Sequence, residues 1–168
     1  MAASTRQEKT ELKRIVIYIG ILCALLFAPV ESLNVGELIP VQVVALSKEN
    51  GWTVIETDTG NRGIGGTAQK ALQNLKDTAS GDIYLDTAEY LLLGKDTEGT
   101  AEELRAELKP SVKLCETAKS VDLAKSAKFL RVHGKLPKLK DWNGEQELPV
   151  LSTFGDALIF LKKVENKA

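Results

Sequence analysis

The sequence predicts an α/β or α+β domain built on a mixed sheet, preceded by one apolar helix. Strand-like segments alternate with amphipathic helical segments after an initial hairpin. Residues 90–93 are four successive large apolar residues, which is typical of a strand covered on both faces. Residues 15–28 form an uncharged apolar run near the N-terminus. We therefore expect helices packed on a sheet that opens with an antiparallel hairpin, plus a transmembrane or signal helix.

The apolar run at residues 15–28 separates a short polar head from the domain. As a helix it spans about 21 Å, and its apolar neighbours bring that length closer to a membrane span. Lys13 and Arg14 abut the run, and positive residues on this side hold the N-terminus in the cytoplasm. We expect a cytoplasmic stub at 1–14 and a single-pass signal anchor at 15–30.

Two alternatives to the anchor stay open. A secretory signal cleaved after Ala28 or Ser32 would release the domain, although Pro29 is a poor first residue of a mature chain. A run this short is also compatible with a buried core helix. Lipid attachment at Cys23 is disfavoured, because Leu22 stands where a lipidated cysteine needs a small residue.

The part of the chain after residue 30 has the size and charge of one globular domain. Its 138 residues carry 18 Lys and Arg against 21 Asp and Glu, a net charge of −3, which does not suggest nucleic acid as a partner. Cys23 and Cys115 are the only cysteines, and with Cys23 in the apolar run no intrachain disulfide is expected. The predicted linker is 31–37 and the predicted domain is 38–168.

The first elements of the domain are predicted from turn signals and helical spacing. Residues 38–46 and 52–58 are strand-like, and Asn50-Gly51 between them is a strong signal for a two-residue hairpin turn. A helix is expected to begin at Thr67 after a glycine-rich segment and to end near Gly81. Its apolar stripe comprises Ala68, Ala71, Leu72, Leu75 and Ala79.

The second half of the domain is predicted from caps and breakers. Residues 100–103 (Thr-Ala-Glu-Glu) match a capping box, so a short helix is expected to end before Pro110. Ser120 is expected to cap a helix with Leu123, Ala127 and Leu130 on one face. A short strand at 112–116, a loop at 138–149 and a final strand at 157–164 complete the prediction. A last helix is the alternative to that strand, which is favoured because Gly155-Asp156 precedes it as a turn.

Three groups of residues are candidates for phosphate binding or catalysis, and each is expected to have a structural role instead. The glycine-rich segment at 60–66 precedes a helix N-terminus, where phosphates bind, but it lacks the Gly-Lys-Ser/Thr ending of a phosphate-binding loop. It is expected to be a turn between the hairpin and the helix, with Thr67 as the helix cap. His133 is the only histidine, and no motif supports a catalytic pair with Cys115. The closest carboxylate pairs, expected on solvated faces, are Asp82 with Asp86 and Glu102 with Glu103. No catalytic residue, cofactor or metal ligand is predicted.

Charge is distributed unevenly along the domain. Residues 77–107 hold nine acids and two bases, a charge of −7, whereas residues 109–140 hold nine bases and two acids, a charge of +7. The two segments would neutralise each other if they lie side by side. Alternatively, the basic segment forms a face turned to anionic lipid headgroups or an acidic partner. The candidate interaction residues on that face are Lys119, Lys125, Lys128 and Arg131.

Four segments carry a resemblance to a known family. They are Gly-Thr-Ala-x-x-Ala-Leu-x-Asn-Leu at 66–75, Ser-Gly-x-Ile-Tyr-Leu at 80–85, Glu-Tyr-Leu-Leu-Leu-Gly at 89–94 and Gly-Asp-Ala-Leu-Ile-Phe at 155–160. In this order they resemble the N-terminal domain of the C-subunit lipoproteins of spore germinant receptors, although the family's lipidated cysteine motif is absent here. The resemblance implies a non-enzymatic domain that acts within a membrane receptor assembly.

The sequence therefore predicts a non-enzymatic binding or assembly protein of a bacterial sporulation or germination-type envelope complex. Residues 15–30 would contact the membrane, the domain would lie on the extracytoplasmic side, and a protein partner in the envelope is expected. The alternative is an exported enzyme or ligand-binding domain that acts on a cell-wall or small-molecule substrate.

Overall fold

The computed structural model describes residues 14–23, 35–118, 120–133, 135–144 and 146–161. The chain divides into two units, residues 1–34 and 35–168. In the first unit residues 14–23 are helical (α1), and their side chains are exposed. Within the described residues no helix is both long and apolar enough to cross a bilayer. The predicted stub, the rest of the predicted anchor and most of the predicted linker lie outside the described residues.

The second unit is built on a seven-stranded mixed sheet, which confirms the mixed α/β class. The strands of the unit are β1 (Leu38–Pro40), β2 (Val43–Glu49), β3 (Trp52–Thr57), β4 (Arg62–Gly65), β5 (Asp82–Tyr84), β6 (Tyr90–Leu93), β7 (Lys113–Thr117), β8 (Val150–Phe154) and β9 (Ala157–Leu161). The sheet order is β4-β3-β2-β6-β7-β8-β9, with β2, β6, β7 and β8 parallel and the outer strands antiparallel. Strands β1 and β5 form a separate parallel pair.

Helices cover both faces of this sheet. They are α2 (Ala68–Thr78), the single turn α3 (Glu98–Ala101) and α4 (Leu123–His133). The core on one face contains the buried side chains of α2 and α3, and the core on the other face contains those of α4. Central strand β6 contributes Leu91 and Leu93 to the first core and Tyr90 and Leu92 to the second. The prediction that residues 90–93 are covered on both faces is confirmed.

The predicted hairpin is present as β2 and β3. Asn50 and Gly51 both have positive φ, at 50° and 82°, which is the conformation of a type I′ turn. The predicted strand at 38–46 is interrupted, because side chains take the backbone N–H groups at the break. Thr87 Oγ1 accepts from the Val41 N–H at 3.0 Å, and Asp58 Oδ1 accepts from two N–H groups just beyond it. The strand thus divides into β1 and β2.

The two predicted caps in the second half are wrong. The helix predicted to begin after Thr100 begins at Glu98 instead, with Thr97 at the N-cap position. Asp122, not Ser120, caps α4, since its Oδ1 accepts from the Lys125 N–H at 3.0 Å. Aspartate directly precedes the first helical residue, so its carboxylate reaches the free N–H groups of the first turn.

The C-terminal part of the unit contains one strand that the sequence pattern did not predict. Strand β8 pairs with β9 through the Gly155-Asp156 turn, and the predicted final strand is confirmed as β9. The predicted loop at 138–149 contains one 3-10 turn, Leu139–Asp141. Leu139 and Trp142 of this loop are buried in the first core. The loop is therefore part of the packing of the domain.

Candidate functional site

The glycine-rich segment at 60–66 is an edge strand beneath a helix. Residues 62–65 form β4, and α2 packs directly on it. A Cβ atom on Gly63 would lie 2.2 Å from the Ala71 carbonyl oxygen, and one on Gly65 would lie 2.3 Å from the Ala71 nitrogen. A side-chain Cβ atom does not approach backbone atoms so closely, so α2 can contact β4 only because residues 63 and 65 are glycines. The segment is structural, as predicted, but as a strand rather than as a turn alone.

The N-terminus of α2 has protein acceptors for its N–H groups. The Thr67 hydroxyl accepts from the Lys70 N–H at 3.2 Å, which confirms the predicted cap. The Glu103 carboxylate accepts from the Ala68 N–H at 2.9 Å. A carboxylate already stands where a phosphate would bind to such a helix end. This arrangement does not favour the phosphate-binding alternative.

Cys115 and His133 lie in different environments. Cys115 is fully buried in the core beneath α4, and burial, with the nearby charge of Glu116, raises the pKa of its thiol to about 12. The thiol is therefore protonated near neutral pH, whereas a cysteine nucleophile acts as the thiolate. His133 is exposed at the end of α4, with its ring centroid 4.8 Å from that of Phe129. The structure gives both residues packing roles.

Three of the four paired carboxylates are solvated, as predicted. Asp82, Asp86 and Glu102 are exposed, and Glu102 accepts two hydrogen bonds from Arg105, at 2.7 and 2.8 Å. Glu103 differs, because it is partly buried and caps α2.

A cavity of about 270 Å³ lies at the carboxyl ends of β2, β6 and β7. Ligands of open α/β sheets commonly bind at this edge. Its lining includes Ala45, Ser47, Glu49, Glu56, Val121 and Leu123. Both carboxylates of the lining are paired with Arg62, at 2.5 Å for Glu49 and 3.2 Å for Glu56. Arg62 balances one of these two negative charges, and Lys48 and Lys95 of the lining add positive charge, so the cavity combines charged and hydroxyl-bearing walls with apolar ones.

The predicted basic face lies on α4. Lys125, Lys128 and Arg131 are exposed on this helix, and Lys119 lies outside the described residues. Lys125 pairs with Asp122 at 3.4 Å and Arg131 pairs with Glu89 at 3.2 Å. In the part of the chain that the structure describes, the Arg131 pair alone joins the acidic segment to the basic one. The two segments therefore do not neutralise each other residue by residue.

A second cavity, of about 490 Å³, opens at the C-terminal end of α4. Its lining residues are Arg131, Val132, His133, Lys135, Leu136, Pro149 and Phe160. Two cations and a histidine therefore line the cavity together with apolar side chains. Among the apolar residues, Val132 is 76% exposed. We call this set, together with Lys125 and Lys128, the α4 patch. Val132 and Lys135 were not among the predicted interaction residues, although residues 123–140 contain six Lys and Arg and no acid.

The described residues contain no group of three or more His, Cys, Asp or Glu side chains placed to hold a metal ion. Comparison of the chain with protein-family models, curated proteins and solved structures found no match. What the α4 patch and the cavity at the strand ends can bind therefore follows from their lining residues and charges.

Proposed function

We propose that the chain is a non-enzymatic binding or assembly domain of a bacterial sporulation or germination-type envelope complex. Residues 15–30 act as the membrane anchor, and the α/β domain lies on the extracytoplasmic side. The observation that carries the proposal is the exposure of apolar side chains along α1.

Seven large apolar side chains of α1 are between 54 and 72% exposed. They are Ile15, Val16, Ile17, Tyr18, Ile19, Ile21 and Leu22. A helix that is apolar on every side belongs inside a protein or a membrane. Burying one such side chain contributes roughly 1.5–3 kcal/mol, so the seven together favour an apolar environment by on the order of 10 kcal/mol. A lipid bilayer supplies that environment, and Arg14 at the start of α1 suits the cytoplasmic boundary.

The assembly role is supported by the domain itself and by the resemblance to germinant-receptor C-subunits. Hydrophobic cores lie on both faces of the sheet. The glycine-rich segment, Cys115 and Glu103 have structural roles, and the other three candidate carboxylates are solvated. What the surface offers is the charged α4 patch and the cavity at the strand ends. Binding requires only surface and position, whereas catalysis requires convergent reactive groups.

Fractionation of cells tests the tether. The full-length chain is expected in the membrane pellet after extraction with alkaline carbonate, which releases peripheral proteins. A variant that lacks residues 15–28 is expected in the soluble fraction of the cytoplasm with its domain folded. Full-length protein in the soluble cytoplasmic fraction would contradict the proposal. Genes for membrane subunits of a germinant receptor beside this gene would support the assembly role.

The cavity at the strand ends favours a second candidate, an exported domain that binds a small molecule. Its volume of about 270 Å³ fits a compact ligand. Ligand-observed NMR with a library of small fragments tests this candidate, and Ala45→Leu, which extends a lining side chain, is the matched variant. Fragments whose signals respond to wild type and not to Ala45→Leu would assign binding to this cavity. The same response from both proteins would exclude it.

A further inference from the structure

We infer that the α4 patch is a docking surface for the acidic headgroups of a phospholipid bilayer. This inference rests on the proposed function, because the tether is what would hold the domain beside the membrane. It adds that the domain lies against the bilayer through one defined surface.

The α4 patch carries more positive charge than the acidic groups beside it compensate. Lys128 and Lys135 are exposed, and neither has an ion-pair partner among the described residues. Lys125 and Arg131 each pair with one carboxylate, but these pairs are exposed and weak in water. Helix α4 itself carries no acid. The patch therefore presents net positive charge to solvent, which complements an acidic lipid surface.

The α4 patch also has apolar surface. Val132 is exposed next to Arg131 on α4, and it lines the same cavity as Leu136, Pro149 and Phe160. Lysine side chains can lie along such a surface while their ammonium groups reach the headgroups. Binding at a membrane surface strengthens with buried apolar area and with attraction to anionic lipids, and Val132 with the cavity wall supplies that apolar area.

The composition of the α4 patch separates lipid from an acidic protein partner. The centres of protein–protein interfaces are rich in arginine and aromatic residues and poor in lysine. The exposed cations of the α4 patch are three lysines (Lys125, Lys128 and Lys135) and one arginine, Arg131. Phe160 is only partly exposed. This composition favours a headgroup surface, to which lysine binds as a point charge.

A fluorescent probe on Val132 tests the inference in the full-length chain. Cys23→Ala removes the exposed thiol, and Cys115 is buried, so Val132→Cys can be labelled selectively with an environment-sensitive dye such as NBD. The matched control is Gln69→Cys, exposed on α2 at the opposite face of the sheet. Each protein is reconstituted in phosphatidylcholine vesicles, with and without phosphatidylglycerol.

The dye on residue 132 is expected to shift to the blue with phosphatidylglycerol and not in its absence, while the dye on residue 69 stays unchanged. The shift should disappear near 1 M salt, where the Debye length falls to about 3 Å. Lys128→Glu combined with Lys135→Glu should reduce the shifted fraction at least about fivefold.

Equal shifts with both lipid compositions, or no shift at residue 132, would overturn the inference. A shift with soluble poly-glutamate but not with phosphatidylglycerol would also overturn it and assign the patch to an acidic protein. Flotation of the same samples keeps the two proposals apart. Protein that floats with vesicles while residue 132 reports water contradicts the docking surface alone, and protein that does not float with phosphatidylcholine vesicles contradicts the tether.

Discussion

Replacing Gly63 by alanine should separate α2 from the sheet and destabilise the domain. The added Cβ would lie 2.2 Å from the Ala71 carbonyl oxygen and 2.6 Å from the Leu75 nitrogen, both of which are backbone atoms that no rotamer change can move. The helix would have to withdraw by about 0.8 Å to restore even a close contact of 3.0 Å. A gap of this size forfeits roughly a quarter to a half of the dispersion energy at the contacts it opens.

The side chains that α2 buries are those of Ala68, Ala71, Leu72 and Leu75. Burial of each of these leucines contributes about 1.5–3 kcal/mol. Partial withdrawal of α2 loses part of that contribution, and overpacking at the added Cβ adds to the loss. For Gly63→Ala we expect the free energy of unfolding to fall by about 3 kcal/mol in total. Urea unfolding followed by circular dichroism measures the change in the free energy of unfolding. The matched control is Gly66→Ala, where no atom lies within 4 Å of the added Cβ and little change is expected. A loss below about 0.5 kcal/mol for Gly63→Ala, or an equal loss for Gly66→Ala, would refute the close-contact argument.

Three further predictions concern groups inside the domain. Glu103→Ala should lower the free energy of unfolding in urea by about 1 kcal/mol, because the Ala68 N–H loses its acceptor. Glu103→Gln keeps an acceptor and should lower it less. Equal effects would contradict the capping role. The Cys115 thiol has a folded pKa of about 12 against 9.0 for an ordinary cysteine, so the unfolded state loses this proton first and stability should fall as pH rises through that window. Cys115→Ala should flatten that part of the pH profile of unfolding, and an unchanged slope would contradict the assignment. The buried Trp142 indole N–H has no acceptor among the described residues, so Trp142→Phe should change the free energy of unfolding by less than about 1 kcal/mol. Trp142→Ala removes the whole ring and should cost about 3–5 kcal/mol. Similar losses for the two variants would show that the N–H has an acceptor.

Signals confined to neighbouring residues predicted the first half of the fold well. Asn50-Gly51 specifies its turn through the positive φ of both residues, and the α2 stripe matches the buried face of the helix. The central strand at 90–93 was recognisable because burial on both faces removes the alternation of polar residues.

Two of the errors fall where distant parts of the chain supply the partner. Glu103 looked like the far end of a local capping box, but its carboxylate binds the Ala68 N–H, 35 residues away. The glycines at 63 and 65 indicated a turn, although the contact that requires them is made by a helix later in the chain. No pattern within a short window contains either interaction.

The candidate site was partly predictable for the same reason. The uneven charge along the chain indicated Lys125, Lys128 and Arg131, and all three are exposed on α4. The contribution of Val132 and the cavity depends on Phe160 of β9 approaching the end of α4, with the Phe129 and Phe160 ring centroids 5.4 Å apart. That approach is set by the order of strands in the sheet, which local spacing does not encode.

The location of the α/β domain relative to the membrane is tested most directly by a fusion of alkaline phosphatase after residue 161. This enzyme is active only outside the cytoplasm, where its disulfides form. We expect phosphatase activity that stays with the membrane fraction of the full-length fusion and is lost when residues 15–28 are deleted. An inactive full-length fusion that accumulates as intact protein would place the domain in the cytoplasm and contradict the proposed extracytoplasmic location.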